Sequence, residues 1–354
     1  FGMPPEEEAV YVPKVRMLVA AVQSSMRPHD VQRWPLQHIS KSDVKLMLSA
    51  RPSIFKFGVQ VPRNDGEADR SPERIQWKAG RTLEWLRLKK VGAFDGSWTK
   101  ERIRKELPNF QIVDIGHCFF IYNYKCTGER RVRMVYDGSR QSPNTYGDTY
   151  APTVRPESIR LFHLYCVQND YDIGQYDVPQ AFLQAKAKGD LFFYPPEGCA
   201  EFPGQIYKCL LNLYGNKEAA RLYYLRFTAF LATLGFESEA RDPCFFRRCE
   251  PSTGKYSLLI CHVDDSRIGA APAILQEIYA ALYTEFAITT CSGSRFLGMD
   301  VIHDRQAGFV KLHMQTYISE MVTRFEAVDT TAGYPVRELC GCLIWVVCCV
   351  HGGD

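Results

Sequence analysis

The sequence has no apolar run long enough to cross a bilayer, which takes ~20 residues; its longest candidate, Cys340 to Val350, falls short. It opens without a recognisable export signal, and its 13 cysteines show no disulfide-type spacing. Together these features exclude a disulfide-stapled secreted domain and a membrane span, and point to an intracellular chain with reduced thiols. There is no strong charge imbalance. Lys and Arg number 43 against 40 Asp and Glu, a net charge of +3, so the chain is not a uniformly basic nucleic-acid binder. Nor is there an internal repeat, which excludes a solenoid. At 46% hydrophobic residues over 354 positions, wholesale disorder is excluded too, and two or three subdomains have room to form cores.

Charge is unevenly spread. Residues 77–142 hold 14 Lys or Arg against 7 Asp or Glu, a basic segment suited to a polyanion or to a solvated face. Residues 1–72 carry Pro4, Pro5, Pro13, the acidic Glu6-Glu7-Glu8 and the polar run Arg63 to Pro72, and read as tail and linker. Convincing structure begins near Trp77. A strand pair is expected around 118–122 and 131–135, joined by Cys126-Thr127-Gly128-Glu129. A helix is expected from about Lys217 to Leu234, with two apolar stripes and a stop at Gly235. A second helix should follow Pro272, with Ile274, Ile278, Leu282 and Phe286 at four-residue spacing. Beyond Phe296 a helical region is expected, its core stripe formed by Tyr317, Ile318, Met321, Val322 and Phe325.

The most informative feature is His262-Val263-Asp264-Asp265, placed between two apolar strand-like runs. Asp is a common turn residue, so the dipeptide alone fits a polar hairpin. Yet two adjacent carboxylates in a partly dry site repel and raise one another's pKa, and a divalent cation relieves that repulsion. Asp177 also ends a strand-like segment, closed by Pro179, which has no donor for a ladder. It lies 87 residues upstream of Asp264, which leaves space for strand, helix and strand. A split β-α-β arrangement brings two such strand ends together, and carboxylates from both then hold two metal ions for in-line phosphoryl transfer. Cys340-x-Cys342 followed by Cys348-Cys349-x-His351 invites a zinc reading, but the run is apolar and buried thiols account for it.

The order of motifs from Arg131 to about Val347 resembles the reverse transcriptase of copia-type retrotransposons. Arg131-Val132-Arg133-Met134-Val135 stands where that family has its K-A-R-L-V element. Tyr150-Ala151-Pro152 with Ser158-Ile159-Arg160 matches its Y-A-P and S-I-R, and Gln175-Tyr176-Asp177-Val178-Pro179-Gln180-Ala181-Phe182-Leu183 its Q-x-D-V-x-x-A-F-L. Leu213-Tyr214-Gly215-Asn216-Lys217-Glu218-Ala219-Ala220-Arg221 resembles L-Y-G-L-K-Q-A-P-R. Asp242-Pro243-Cys244, His262-Val263-Asp264-Asp265 and Phe296-Leu297-Gly298 complete the series. Fainter landmarks lie at Trp77, Gly96-Ser97-Trp98 and Val336 to Trp345.

The resemblance implies an α+β right-hand polymerase. Residues 73–165 would be its fingers, 166–290 a ferredoxin-like palm and 291–354 a helical thumb with the start of a connection. Residues 1–72 would be a poorly structured tail, a remnant of the integrase-to-polymerase linker. It implies an RNA-directed DNA polymerase using two Mg²⁺ ions, deoxynucleoside triphosphates and a primed RNA or DNA template, with no membrane partner. Asp177, Asp264 and Asp265 would be catalytic and, with Val178, form the metal set. Arg131, Arg133, Phe182, Gly215, Lys217 and Glu218 would bind the nucleotide, Phe182 excluding a ribose 2′-hydroxyl. Arg221 and His262 would meet template and primer. Both ends of the chain read as truncated. RNase H and integrase are expected on the same polyprotein, in cytoplasmic virus-like particles and the nucleus.

The chain departs from the family pattern at His262 (usually Tyr or Phe), Glu218 (Gln), Ala220 (Pro) and Asp137 (Arg). Glu218 and Asp137 both add negative charge, which repels incoming phosphates. Two other readings therefore stand beside the polymerase: a decayed relic that only grips nucleic acid, and another palm-type phosphotransferase such as a nucleotide cyclase.

Overall fold

The computed structural model describes residues 55–56, 59–125, 128–326 and 336–350. Most of the expected tail, residues 1–54, lies outside them, as do Cys126, Thr127 and His351. The described residues fall in two compact units, one within 62–293 with 305–308, the other including 294–304, 309–326 and 336–350. Strands β1 (Phe55–Lys56) and β2 (Val59–Gln60) pair antiparallel.

The larger unit begins inside the segment expected to be linker. Helix α1 (Asp65–Arg70) forms because the Asn64 side chain accepts the Glu67 N–H at 2.9 Å, an N-cap that composition alone does not reveal. It is held down by a fully buried Ala68 and by Tyr122 Oη, which donates to Asp65 at 2.7 Å. Helix α2 (Arg74–Lys90) follows. Its Trp77 is fully buried and meets Tyr122 and Tyr124 edge-on, with centroids 5.4 and 5.2 Å apart.

Strand β3 (Phe94–Trp98), helix α3 (Lys100–Glu106), and strands β4 (Gly116–Tyr124) and β5 (Arg130–Tyr136) come next. β4 alternates strictly, with Phe120, Tyr122 and Tyr124 inward and Phe119 and Ile121 outward. That period of two is the signature of a half-buried strand. β4 and β5 form the expected antiparallel pair, with Ile121 opposite Arg133 and Asn123 opposite Arg131.

Helix α4 (Pro156–Gln168), strand β6 (Asp172–Asp177), strands β7 (Phe192–Tyr194) and β8 (Ile206–Cys209), and helix α5 (Ala219–Thr233) continue the unit. It closes with β9 (Glu237–Glu239), β10 (Asp242–Glu250), β11 (Lys255–His262), β12 (Asp265–Ala270), helix α6 (Pro272–Phe286) and β13 (Thr289–Cys291). One sheet has the order β3-β8-β7-β4-β5, with β4 and β7 parallel. The other is antiparallel throughout, in the order β13-β6-β12-β11-β10-β9.

Helices pack on both faces of this second sheet. Gly174 of β6 and Gly269 of β12 have no side chain to hold them off: a Cβ at Gly174 would lie 2.0 Å from Tyr279 Oη of α6, and one at Gly269 would lie 2.2 Å from Cys166 Sγ of α4. Gly269 pairs with Ile173 and Gly174 with Ile268, so the two contacts fall on opposite faces. α6 buries Leu275, Ile278, Leu282 and Phe286, close to expectation. α5 departs from it. Only the stripe Ala219, Tyr223, Phe227 and Leu231 is buried, while Leu225, Ala229 and Ala232 face solvent. Packing against one surface covers one stripe, so an apolar second stripe does not by itself mean burial.

In the smaller unit, strands precede the expected helix. β14 (Arg295–Phe296), β15 (Met299–Asp304) and β16 (Phe309–His313) form an antiparallel sheet. Leu297 and Gly298 both take positive φ, 51° and 84°, in the turn between the first two. This two-residue geometry explains the Leu-Gly pair. Helix α7 (Gln315–Glu326) then packs Met321, Val322 and Phe325 with Leu339 of helix α8 (Val336–Val350), flanked by Ile318 and Cys342. This is most of the stripe read from the sequence, on one helix rather than a helical region. On α8, Cys340 is exposed and Cys349 buried, and among the described residues no metal-ligand cluster forms.

The buried indole of Trp77 joins α2 to β4. Trp77→Ala is expected to lower unfolding stability by about 3–5 kcal/mol in urea titration. A loss under about 1 kcal/mol would show that the junction is held elsewhere.

Candidate active site

The backbone ladder, not side-chain attraction, assembles the carboxylates. β6 and β12 pair antiparallel with Asp177 directly opposite Asp265. Val178, itself buried, donates its N–H to the Asp264 carbonyl at 3.1 Å. The intervening turn is tight: His262 is the Cα partner of Asp265, leaving Val263 and Asp264 as the whole loop. Val263 takes φ +59°. A β-branched residue there is strained by ~1–3 kcal/mol, a cost met where a site needs a fixed geometry.

Asp177 is exposed at the end of β6, and Asp264 and Asp265 are half-buried. The Asp177 carboxyl is raised above its usual range by desolvation first and by the like charge of Asp264 second, with Arg131 and Arg133 opposing. Asp265 is pushed up to about 6, chiefly by desolvation; the Gln175 hydrogen bond and Arg267 pull it back, while Asp264 and Asp177 push it up. Asp264 therefore acts on both of the other carboxylates, and the charges of both β5 arginines act on Asp177. These arginines lie on the outer face of the β4–β5 pair, Arg131 exposed and Arg133 partly covered. Among the described residues, no three His, Cys, Asp or Glu side chains converge closely enough to form a finished metal cluster. The donor set itself suits a hard divalent cation: three carboxylates at one strand end, two of them, Asp177 and Asp265, with raised proton affinity.

An aromatic wall adjoins the carboxylates. The Arg133 guanidinium lies 4.7 Å from the Tyr214 ring centroid, and Tyr214 packs on Phe182 at 5.1 Å. Desolvation raises the Tyr214 hydroxyl, Arg133 lowers it and Asp264 raises it, so the wall borders the acidic turn. Phe182 sits in the single-turn helix Ala181–Gln184, entered through Gln180 at φ +56°.

The remaining sequence candidates gather in a second cluster. Gly215, at φ +87°, presses its backbone on β5: a Cβ there would lie 2.2 Å from the Tyr136 carbonyl, and Tyr136 donates its N–H to the Tyr214 carbonyl at 2.7 Å. Its close approach is to the protein's own backbone. Lys217 Nζ donates to Tyr146 Oη at 2.8 Å, and Arg221 pairs with Asp148 at 3.3 Å. Glu218 is buried at the start of α5 and lines a polar cavity of about 680 Å³ with Asp114, Asn144, Tyr146 and Lys188. His262 is half-buried at the end of β11.

Sequence reasoning missed a buried array under Asp265. Gln175 Nε2 donates to Asp265 Oδ1 at 2.9 Å, and Arg267 Nη2 donates to Gln175 Oε1 at 2.8 Å. Arg267 also donates to the Gly293 carbonyl at 2.5 Å and to His163 Nε2 at 3.0 Å. His163 Nδ1 in turn meets the Ile159 carbonyl at 2.7 Å, which assigns its proton to Nδ1. Arg267 is 0% exposed. The available signal was its position two residues after Asp265, on the same face as that carboxylate.

Comparison with known proteins follows the same part of the chain. A family model described as reverse transcriptase (RNA-dependent DNA polymerase) matches residues 115–337. The retrovirus-related Pol polyprotein from transposon TNT 1-94 of Nicotiana tabacum is 26% identical over 219 residues, 59% of this chain and 16% of that protein. Those from transposons RE1 and RE2 of Arabidopsis thaliana are each 28% identical, over 60% and 56% of this chain. The chain thus spans about 14–16% of the length of these relatives.

The raised Asp265 sets a pH dependence. Its folded value of about 6 exceeds the ordinary carboxylate value near ~3.9. Its stabilising contribution is therefore complete below pH ~4 and lost as pH rises through about 6. Asp265→Asn keeps an acceptor for Gln175 and does not titrate. In metal-free buffer it is expected to raise Tm at pH 8 and leave it unchanged at pH 4. An equal shift at both values would contradict the assignment.

Proposed function

The chain belongs to the reverse transcriptase (RNA-dependent DNA polymerase) family, and from that premise we propose that it extends a primer 3′-hydroxyl with deoxynucleotides on an RNA template by two-metal phosphoryl transfer. The observation that carries the reading is the pairing of Asp177 opposite Asp265, one residue from Asp264. In this reading residues 73–165 act as fingers, 166–290 as palm and 291–354 as thumb.

Asp177, Asp264 and Asp265, with the backbone of Val178, would hold the metal. Two Mg²⁺ ions, when bound, lower the pKa of the primer hydroxyl and offset charge on the pyrophosphate leaving group. The protein's own groups do the rest. Arg131 and Arg133, already acting on Asp177, grip the triphosphate through paired N–H donors. Phe182, braced by Tyr214, fills the space a ribose 2′-hydroxyl would need. His262, at the head of the turn, packs against the primer end. Gly215, Lys217 and Glu218 border the incoming nucleotide, and Arg221 faces the template. The chain acts within a longer Pol polyprotein that also carries RNase H and integrase.

A second reading has its own observation. Lys217 and Arg221 are engaged with Tyr146 and Asp148, and Glu218 is buried. A relic without chemistry fits a buried carboxylate at this position with Arg221 paired to Asp148.

Primer extension separates the two. The wild-type chain is expected to extend a DNA primer on RNA, with Asp264→Asn slower by about 10³-fold or more. Equal rates, or salt-dependent binding without incorporation, would favour the relic. Phe182→Val is expected to raise ribonucleotide incorporation relative to deoxynucleotide by about tenfold. An unchanged ratio would remove Phe182 from sugar selection.

A further inference from the structure

Arg267 is a cation held at 0% exposure, two residues past Asp265 at the acidic turn. Burying a guanidinium carries a desolvation cost of several kcal/mol unless opposite charge and hydrogen bonds compensate it. The hydrogen bonds come from Gln175, His163 and Gly293. Two of these partners are neutral by chemistry, and His163 is neutral by its bonding, since Nε2 accepts from the guanidinium while Nδ1 meets a carbonyl. Among the described residues, Asp265 is a carboxylate whose charge acts on Arg267. Gln175 links them, its amide accepting from Arg267 and donating to Asp265. Register places the four side chains on one face, with Asp265 opposite Asp177 and Arg267 opposite Gln175.

We propose that Arg267 is a built-in counter-cation for the acidic turn: through Gln175 it holds Asp265 in place when no metal is bound, and its positive charge weakens divalent-cation binding at the same carboxylates. This rests on the reading that Asp177, Asp264 and Asp265 bind divalent cations. Arg267 is a positioning residue, because it touches no substrate. The role has two consequences. The metal-free fold does not depend on a cation to relieve repulsion at the turn. Metal enters against an internal positive charge, so the site loads at higher cation concentration than three carboxylates alone would require.

The test uses Mn²⁺ as probe, with Kd from its electron paramagnetic resonance signal and Tm measured in EDTA and in saturating Mn²⁺. Arg267→Gln keeps a donor for Gln175 and removes the charge. It is expected to bind Mn²⁺ about three- to tenfold more tightly and to widen the Tm difference between Mn²⁺ and EDTA. Arg267→Lys keeps the charge and is expected to match the wild type within about twofold on both readouts. An Arg267→Gln chain that folds only with Mn²⁺ supports the proposal. Unchanged Kd and Tm difference in Arg267→Gln would overturn it, as would a Lys variant that shifts as far as Gln. Should Arg267→Gln fail to fold in either buffer, the Lys variant decides by the same criterion. The underlying metal reading fails separately, if wild type and Asp264→Asn bind Mn²⁺ alike.

Discussion

Like charges are held together here by a hydrogen-bonded ladder. Asp177 and Asp265 are directly opposed across β6 and β12, and the Val178 N–H ties the end of β6 to the Asp264 carbonyl. A one-residue slip in that register would turn one of the two carboxylates to the opposite face. The surrounding packing fixes the register. Gly174 and Gly269 admit helices α6 and α4 so closely that a side chain at either glycine would collide. The strained Val263 is the local cost of keeping the turn to two residues.

This constraint explains the rest of the site. Desolvation and mutual repulsion raise the proton affinity of Asp177 and Asp265, which is the environment a divalent cation relieves. Cations reach the carboxylates from two directions. Arg131 and Arg133 act on Asp177 from the β4–β5 pair. Arg267 lies inside, fully desolvated. The first two suit recognition, and the third suits support. Tyr214 joins Arg133 to Phe182, with the guanidinium over its ring and Phe182 against it.

Legibility in the sequence followed the range of the interactions. The strand-end position of Asp177, the Asp264-Asp265 turn, the β4–β5 pair and helix α6 were readable, because strand alternation, turn residues and four-residue spacing are local signals. Helix α5 was placed within two residues at its start, but its second apolar stripe proved exposed, since periodicity does not say how many faces are covered. The segment of β15 and β16 is expected to be helical when the Leu297-Gly298 turn is seen only as a motif landmark, without its backbone geometry. Helix α1 was read as linker because Asn64 was counted as composition and not as a cap. The Arg267 array was invisible for a different reason. Its partners Gln175 and His163 lie 92 and 104 residues away, and the two-residue spacing puts Arg267 on the face of Asp265 without telling that this face is buried there. Lys217 and Arg221 were read as ligand contacts by motif, whereas their partners Tyr146 and Asp148 come from a loop with no signature of its own.

The most direct measurement is the anomalous scattering of Mn²⁺ in crystals of this chain. The account expects density for the ion at the end of β6, bounded by the carboxylates of Asp177 and Asp264, and a second ion about 4 Å away when nucleotide is present. Mn²⁺ bound elsewhere, with Asp177 turned away from the 263–264 turn, would contradict it.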